Sequence, residues 1–191
     1  MEAQHPERLI VAITGASGAI YGIRALLHLS RLPEIETHLV VSSAARRTIA
    51  EETDWALADI VALADHSHPH GDLGAAIASG SFRTRGMLVA PCSVKTLSAI
   101  AHCADGDLVA RAADVCLKER RRVVLLLRET PLHAGHIALM ATATASGAIL
   151  MPPVPAFYQR PATVDDIVDH SIGRALDLFG IDAGIVRRWG E

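Results

Sequence analysis

The chain reads as an α/β protein of three layers, with a parallel sheet between helices on both faces. Five short apolar runs predict the sheet: Leu9–Ile13, His38–Ser42, Met87–Pro91, Val123–Leu127 and Ala148–Met151, each followed by residues at helical spacing. A strand buried on both faces reads as a continuous apolar run, and strands alternating with helices form parallel sheets. The turn Thr14-Gly15-Ala16-Ser17-Gly18, between the first run and a helix, predicts an anion cradle. Glycine lets backbone approach a ligand, and the unpaired N–H groups of the helix start favour negative charge.

Taken in order, the first helix is expected to bury Ile20, Ile23, Leu26 and Leu27 and to end before Pro33. Residues Asp65 to Arg85, rich in His, Gly, Ser and Arg, read as a site-forming loop. After the third run, Pro91-Cys92-Ser93-Val94-Lys95-Thr96 repeats the pattern of a hydroxyl and backbone donors at a helix start. Arg128-Glu129 leaves the fourth run at its carboxyl end, where ligands of open α/β sheets gather. Pro152-Pro153-Val154-Pro155 stiffens the exit from the fifth, and a last helix begins at Thr163, with Asp166 as capping-box partner, and stops at Gly180.

With 191 residues, half of them apolar and 20% charged, the chain is sized for one domain spanning residues 1–191 with a substantial core. A net charge of −3 argues against nucleic acid or an anionic membrane as main partner. Cys92, Cys103 and Cys116 are odd in number and lack metal-knuckle spacing, so no disulfide framework is expected and a reducing cytoplasm fits. Glu2, His5, Pro6 and Glu7 do not resemble the start of a signal peptide, and no apolar stretch reaches membrane-spanning length.

Several motifs have plainer readings. A short-chain dehydrogenase opens with a similar glycine turn, but Tyr158 has no lysine four residues on and no acidic residue directly follows the second strand. Asp165-Asp166-x-x-Asp169 matches a magnesium-diphosphate motif, yet here the aspartates fall in the first turns of a capped helix, where the dipole favours them. His66, His68 and His70 read as a solvated loop rather than metal ligands, and His133 and His136 as a structural or lining pair; no metal site is expected. Cys92 reads as a small buried hydrophobe. Lys118-Glu119-Arg120-Arg121-Arg122 suits a solvated helix end, although Lys118 shares a helical face with Arg111.

The motifs Thr14–Ala19, Ser42–Ala45 with Glu51–Asp54, Ser79–Thr84, Pro91–Leu97, Arg111–Arg120, Arg128–Leu132, Met151–Tyr158 and Arg187-Arg188-Trp189 together closely resemble UbiX-type flavin prenyltransferases over essentially the whole chain. That resemblance implies a flavodoxin-like, Rossmann-like sheet that binds FMN between subunits. It implies that reduced FMN is alkylated by dimethylallyl phosphate at N5 and C6, without a metal, giving prenylated FMN for a UbiD-type decarboxylase. It further implies a homo-oligomer, with a trimer-based dodecamer as the family's assembly.

Position by position, the resemblance assigns Gly15, Ala16, Ser17, Ser42, Ser93, Val94, Lys95, Thr96 and Arg111 to flavin. Lys118, Arg128, Glu129, Tyr158 and Arg174 surround the prenyl phosphate, and Ser17, Glu52 and Glu129 handle protons, with Lys118 and Tyr158 completing the catalytic group. Cations and a phenol suit an allylic phosphate leaving group. Where the family usually continues S-x-x-H-L-E-N-M, this chain has His133-Ala134-Gly135-His136-Ile137-Ala138-Leu139-Met140, keeping His136 and Met140. Two other classes stand beside the transferase: a non-catalytic flavin-binding accessory subunit of an aromatic-acid decarboxylase, and a cysteine-decarboxylating flavoprotein, whose P-x-M-N motif has no match here.

Overall fold

The structure is a computed structural model describing residues 7–188 and Gly190; Trp189 of the final Arg-Arg-Trp motif and Glu2, His5 and Pro6 lie outside the described residues. Six strands form it: β1 (Glu7–Ile13), β2 (Ile35–Val41), β3 (His66–His68), β4 (Gly86–Cys92), β5 (Arg122–Leu127) and β6 (Ile149–Leu150). The helices are α1 (Ala19–Leu29), α2 (Ser43–Glu52), α3 (Leu57–Ala62), α4 (Val94–Ala101), α5 (Leu108–Lys118), α6 (Ala134–Ala145) and α7 (Val164–Asp177).

All strand pairs are parallel, in the order β3-β2-β1-β4-β5-β6. The chain starts in mid-sheet and winds outward both ways, so the order reverses between β1 and β4 and opens a crevice at their carboxyl ends. Without the short edge strand β3 the order is the flavodoxin one; with it, the Rossmann one. The five expected strands are present, but β3 falls inside the expected loop. His66-Ser67-His68 has no apolar signal, and tertiary hydrogen bonds hold it: the Asp65 carboxylate accepts from the Thr37 amide (2.7 Å) and hydroxyl (2.9 Å), while the Asp65 amide donates to that hydroxyl (3.0 Å).

Two apolar layers sandwich the sheet. Leu9, Val11, Ile13, Leu88 and Val124 face α1 and α7, while Ile10, Ala12, Met87, Val89 and Val123 face α4 and α5. In α1, Ile23 and Leu26 are buried as expected, but Ile20 and Leu27 are half-buried. The face against the sheet is instead completed by Ala19, Gly22, Ala25 and Leu29, small residues that bring the helix close. The expected solvated end of α5 holds for Lys118, Glu119 and Arg120; Arg121 turns back and donates to the Phe82 and Gly80 carbonyls, each at 2.7 Å, and Arg122 opens β5. Only Ala143 of α6 is buried, and Ile137 in it is 57% exposed.

Two aspartates of the Asp165-Asp166-x-x-Asp169 motif have structural partners. Thr163 and Asp166 form the capping box of α7. Asp169 ties α7 to α1, accepting from Arg24 (Nε, 2.7 Å, and Nη2) and approaching His28 Nε2 at 3.0 Å. Burial pushes the Asp169 carboxyl up, but the hydrogen bonds from Arg24 and His28 outweigh it and hold the group below the usual aspartate range. Its ionised form therefore stabilises the fold above the ordinary aspartate pKa, and that contribution is lost as pH falls through the lowered native value. We expect Asp169→Asn to cost about 1.5–3 kcal/mol near neutral pH. The gap to the parent protein should narrow in urea denaturation below about pH 4, where the unfolded carboxyl takes up its proton.

Candidate active site

The crevice is built by two strand-to-helix turns that one buried side chain holds together. Thr14 directly follows β1 and is 1% exposed. Its hydroxyl donates to the Pro91 carbonyl (2.7 Å) and accepts from the Ser93 amide (2.9 Å), and its own amide donates to the same carbonyl (3.3 Å). Pro91, which has no N–H, sits where the β4–β5 register shifts, the position a sheet tolerates it. Gly15 follows with so little space that an added Cβ would lie 2.3 Å from that of Ala44, so glycine is what lets α2 close the cleft. Gly18 caps α1 at φ 97°, a backbone angle that L side chains rarely adopt.

Serines start two of the surrounding helices. Ser42 Oγ accepts from the Ala45 amide (3.2 Å), and Ser93 Oγ accepts from the Thr96 amide (3.2 Å) while lying 3.1 Å from Thr96 Oγ1. Ser93 thus caps α4 and lines the crevice. Gly15, Ser42, Ser93, Val94, Lys95, Thr96 and Glu129 line one cleft of about 340 Å³, joined by Ser43, Ala44, His70 and Asp107. Its size and mixed lining suit a small-molecule site, and the Lys95 ammonium in a lining with four hydroxyl residues suits a phosphomonoester.

His70 and Asp107 escaped the sequence reading. Asp107 caps α5 by accepting from the Ala110 amide (3.0 Å), its second oxygen is 3.4 Å from His70 Nε2, and the His70 carbonyl accepts from the Leu108 amide (2.9 Å). An aspartate just before an apolar helix was the available signal for Asp107; His70 had none beyond its loop.

Glu52 changes the reading of the first turn. Its Oε2 accepts from the amides of Gly18 (2.7 Å) and Ala19 (3.3 Å), so the helix start expected to greet an anion already holds a carboxylate. That brings Glu52 next to the turn carrying Ala16, which is buried, and Ser17, which is half-buried. Glu129 is exposed and accepts from the amide of Thr130 (3.0 Å); Arg128 beside it is exposed too.

The remaining assigned residues are not part of the cleft lining. Arg111 donates to the Ala78 carbonyl and Asp114, both at 3.3 Å. Lys118 pairs with Glu119 at 2.6 Å at the far end of α5. The helix starts at the cleft with Asp107 and runs back along the sheet, so at 1.5 Å per residue Lys118 is roughly 16 Å away along its axis. Tyr158, 56% exposed, sets its ring edge-on to His170 with centroids 6.0 Å apart, and Arg174, one turn on in α7, pairs with Asp177 at 2.7 Å. A second hollow of about 350 Å³, lined by Gln159, Arg160, Asp166, His170 and Arg187 among others, adjoins them. Burial pushes the Cys92 thiol up to about 12, as befits a core residue rather than a nucleophile. His133 caps α6, its Nδ1 accepting from the Gly135 amide (3.0 Å), and its ring lies tilted by 30° against that of His136 with centroids 3.7 Å apart; His136 Nδ1 is buried with no partner among the described residues.

A doubly wound sheet with a cation-bearing, hydroxyl-rich cleft at its switch point defines a phosphate-ligand-binding α/β protein, and the model of the Flavoprotein family matches residues 2–175. Within that class the relatives are specific. The chain is 56% identical over 182 residues to the flavin prenyltransferase UbiX of Thauera aromatica, covering 95% of this chain and 93% of the relative. It is 56% identical over 175 residues to the UbiX of Escherichia coli K12, covering 92% and 93%. A crystal structure of AnUbiX in complex with FMN and dimethylallyl pyrophosphate superposes with a TM-score of 0.95 at 50% identity, over 97% of this chain and 98% of that one. A dodecameric FMN-dependent UbiX-like decarboxylase from Escherichia coli O157:H7 gives 0.94 at 49% identity, over 96% and 100%. The chain belongs to the UbiX flavin prenyltransferase family. Its likeness to the peptidyl-cysteine decarboxylase EpiD, with a TM-score of 0.64 at 14% identity, is one of fold alone.

Because the Thr14 hydroxyl satisfies a buried carbonyl and a buried amide at once, Thr14→Val should destabilise the protein by about 1–3 kcal/mol. It should also weaken flavin binding, since the two turns lose their common partner. Urea denaturation and fluorescence titration with FMN check the two effects on one sample.

Proposed function

We propose that the chain is a flavin prenyltransferase that joins the dimethylallyl group of dimethylallyl phosphate to N5 and C6 of reduced FMN, the product serving a UbiD-type decarboxylase. The observation that carries this is the single cleft uniting Gly15, Ser42, Ser93, Val94, Lys95, Thr96 and Glu129, in a chain 56% identical to a flavin prenyltransferase over 95% of its length. The residues fit FMN: the α4 start, Lys95 and the serine hydroxyls receive its phosphate and polar edge, with Ala16, Ser17 and Arg111 around it. When bound, reduced FMN supplies the nucleophilic ring atoms.

The protein's own groups do the rest. Lys118, Arg128, Tyr158 and Arg174 hold the prenyl phosphate and offset the charge that grows on it as the allylic C–O bond breaks, a task that cations and a phenol perform without a metal. Joining the prenyl alkene to C6 takes one proton up at the alkene and gives one back from the ring; Glu129 would accept the proton leaving C6, with Ser17 and Glu52 relaying protons on the other side of the turn. A neighbouring copy covering the cleft would keep water from the allylic carbon.

Lys118 sits some 16 Å along α5 from the cleft, so one chain does not bring it to its own Glu129. The site is therefore shared between copies, with Lys118, Tyr158 and Arg174 completing a neighbour's cleft. Exposure of Val154 (73%), Phe157 (72%) and Ile137 (57%), and of most of α6, supplies the apolar surface for such contacts. The dodecamer of the UbiX-like relative is the assembly we assign. Residues 1–191 act as one domain in the cytoplasm, in keeping with free cysteines; no helix among the described residues is long and apolar enough to cross a membrane.

Anaerobic incubation with reduced FMN and dimethylallyl phosphate should add the prenyl mass to the flavin, and chelator treatment should leave that yield unchanged. Intact FMN binding without a mass increment would favour the accessory-subunit reading. Glu129→Gln should keep FMN binding and slow product formation by about 10²–10³-fold. Lys118→Ala should raise the KM for the prenyl phosphate. Co-assembled Lys118→Ala and Glu129→Gln chains should recover part of the activity, because some shared sites then hold both native residues; no recovery would place Lys118 and Glu129 in one copy.

A further inference from the structure

Away from the cleft, four polar side chains from two strands meet on one face at the open edge of the sheet. Glu36 and His38 are two residues apart on β2, and His66 and His68 two apart on β3, so each pair shares a face. The register sets His38 opposite His66. Glu36 Oε1 lies 2.9 Å from His38 Nε2 and 3.4 Å from His66 Nε2, and the three side chains' ligating atoms all fall within 4.8 Å of one another. The His38 and His66 rings stack with centroids 4.7 Å apart.

We propose that Glu36, His38 and His66 bind a divalent transition-metal ion of the zinc class at the β2–β3 edge. Two imidazoles and a carboxylate are a donor set that such ions prefer over calcium or magnesium. Ligands at about 2.0–2.1 Å around a tetrahedral ion stand about 3.3 Å apart, close to the two separations from Glu36. The side chains of Glu36 and His38 are 18% and 4% exposed while that of His66 is 54% exposed, leaving a path for the ion and room for a water as fourth ligand.

His38 Nδ1 is 3.0 Å from His68 Nε2. With His38 Nε2 on the ion, Nδ1 carries the proton and donates to His68, the outer contact that orients metal-bound histidines. In the ion's absence His38 Nε2–H donates to Glu36 and Arg8 neutralises the carboxylate, its Nε donating to the same oxygen at 3.0 Å while its guanidinium lies over the Phe82 ring. The ion takes over that oxygen. Its effect is to pin a three-residue edge strand whose chain leads, two residues past His68, to His70 in the cleft.

The test uses the full chain, stripped with chelator and dialysed, titrated with zinc by calorimetry and with cobalt(II) by visible absorption. One ion per chain should bind, cobalt should develop ligand-field bands, and zinc should raise the melting midpoint. His66→Val, at an exposed position, should abolish all three signals while the apo variant melts near the parent. His68→Gln should weaken zinc affinity about 10–100-fold, as loss of an outer-sphere partner does. The exposed His102→Ala should change nothing. Absence of binding in the parent, or equal affinity in His66→Val, would overturn the proposal, and neither result bears on prenyl transfer.

Discussion

The Thr14 hydroxyl is the interaction on which the site depends. It joins two turns that are 77 residues apart in sequence, donating to Pro91 and accepting from Ser93 with no solvent access. A parallel sheet brings the carboxyl ends of β1 and β4 side by side but leaves the turns beyond them unpaired. One buried hydroxyl with both its donor and acceptor capacity used fixes their relative position, and leaving either backbone partner unsatisfied would carry a desolvation cost. The helix starts at Ser42 and Ser93 then fall around one hollow because β2 and β4 are both in register with β1, and Asp107 joins them from the α4–α5 connection.

Charge is distributed around this hollow with a division of labour. At α1 the amides of Gly18 and Ala19 are satisfied by Glu52, which leaves the α4 start and Lys95 as the anion-receiving side of the cleft. On the proposed reading Glu52 and Glu129 exchange protons, while of the groups proposed for the prenyl phosphate Lys118 lies on α5, Arg174 on α7 and the phenol Tyr158 in the segment after β6. That separation suits an assembly: groups that attract the leaving phosphate arrive from surfaces a neighbouring copy can present, and the flavin-facing groups stay on one rigid sheet.

Strand β3 shows how tertiary contacts override local signals. Nothing in His66-Ser67-His68 favours a strand, yet Asp65 and Thr37 hydrogen-bond reciprocally and hold the segment against β2. The same pairing stacks two of the three loop-spaced histidines, His66 and His68, on His38 of β2 and brings His66 to a carboxylate that is 30 residues away from it in sequence. Edge strands commonly carry polar or charged residues, which prevent pairing with another chain, so polarity there is a weak guide to secondary structure.

The apolar runs, the glycine turn and the capping residues were enough to define the parallel sheet, its first and last helices and part of the cleft, Gly15, Ser93 to Thr96 and Glu129 among them, while Ser42 was assigned by the family resemblance. Those features act locally: continuous burial demands an apolar run, a tight turn demands glycine, and a helix start demands an acceptor. Which groups meet was settled by the fold. Glu52 on the α1 amides, His70 on Asp107, Glu36 beside His66, and Lys118 at the far end of α5 all depend on strand order and helix direction, which bring together or hold apart residues whose separation along the chain carries no record of their distance in space.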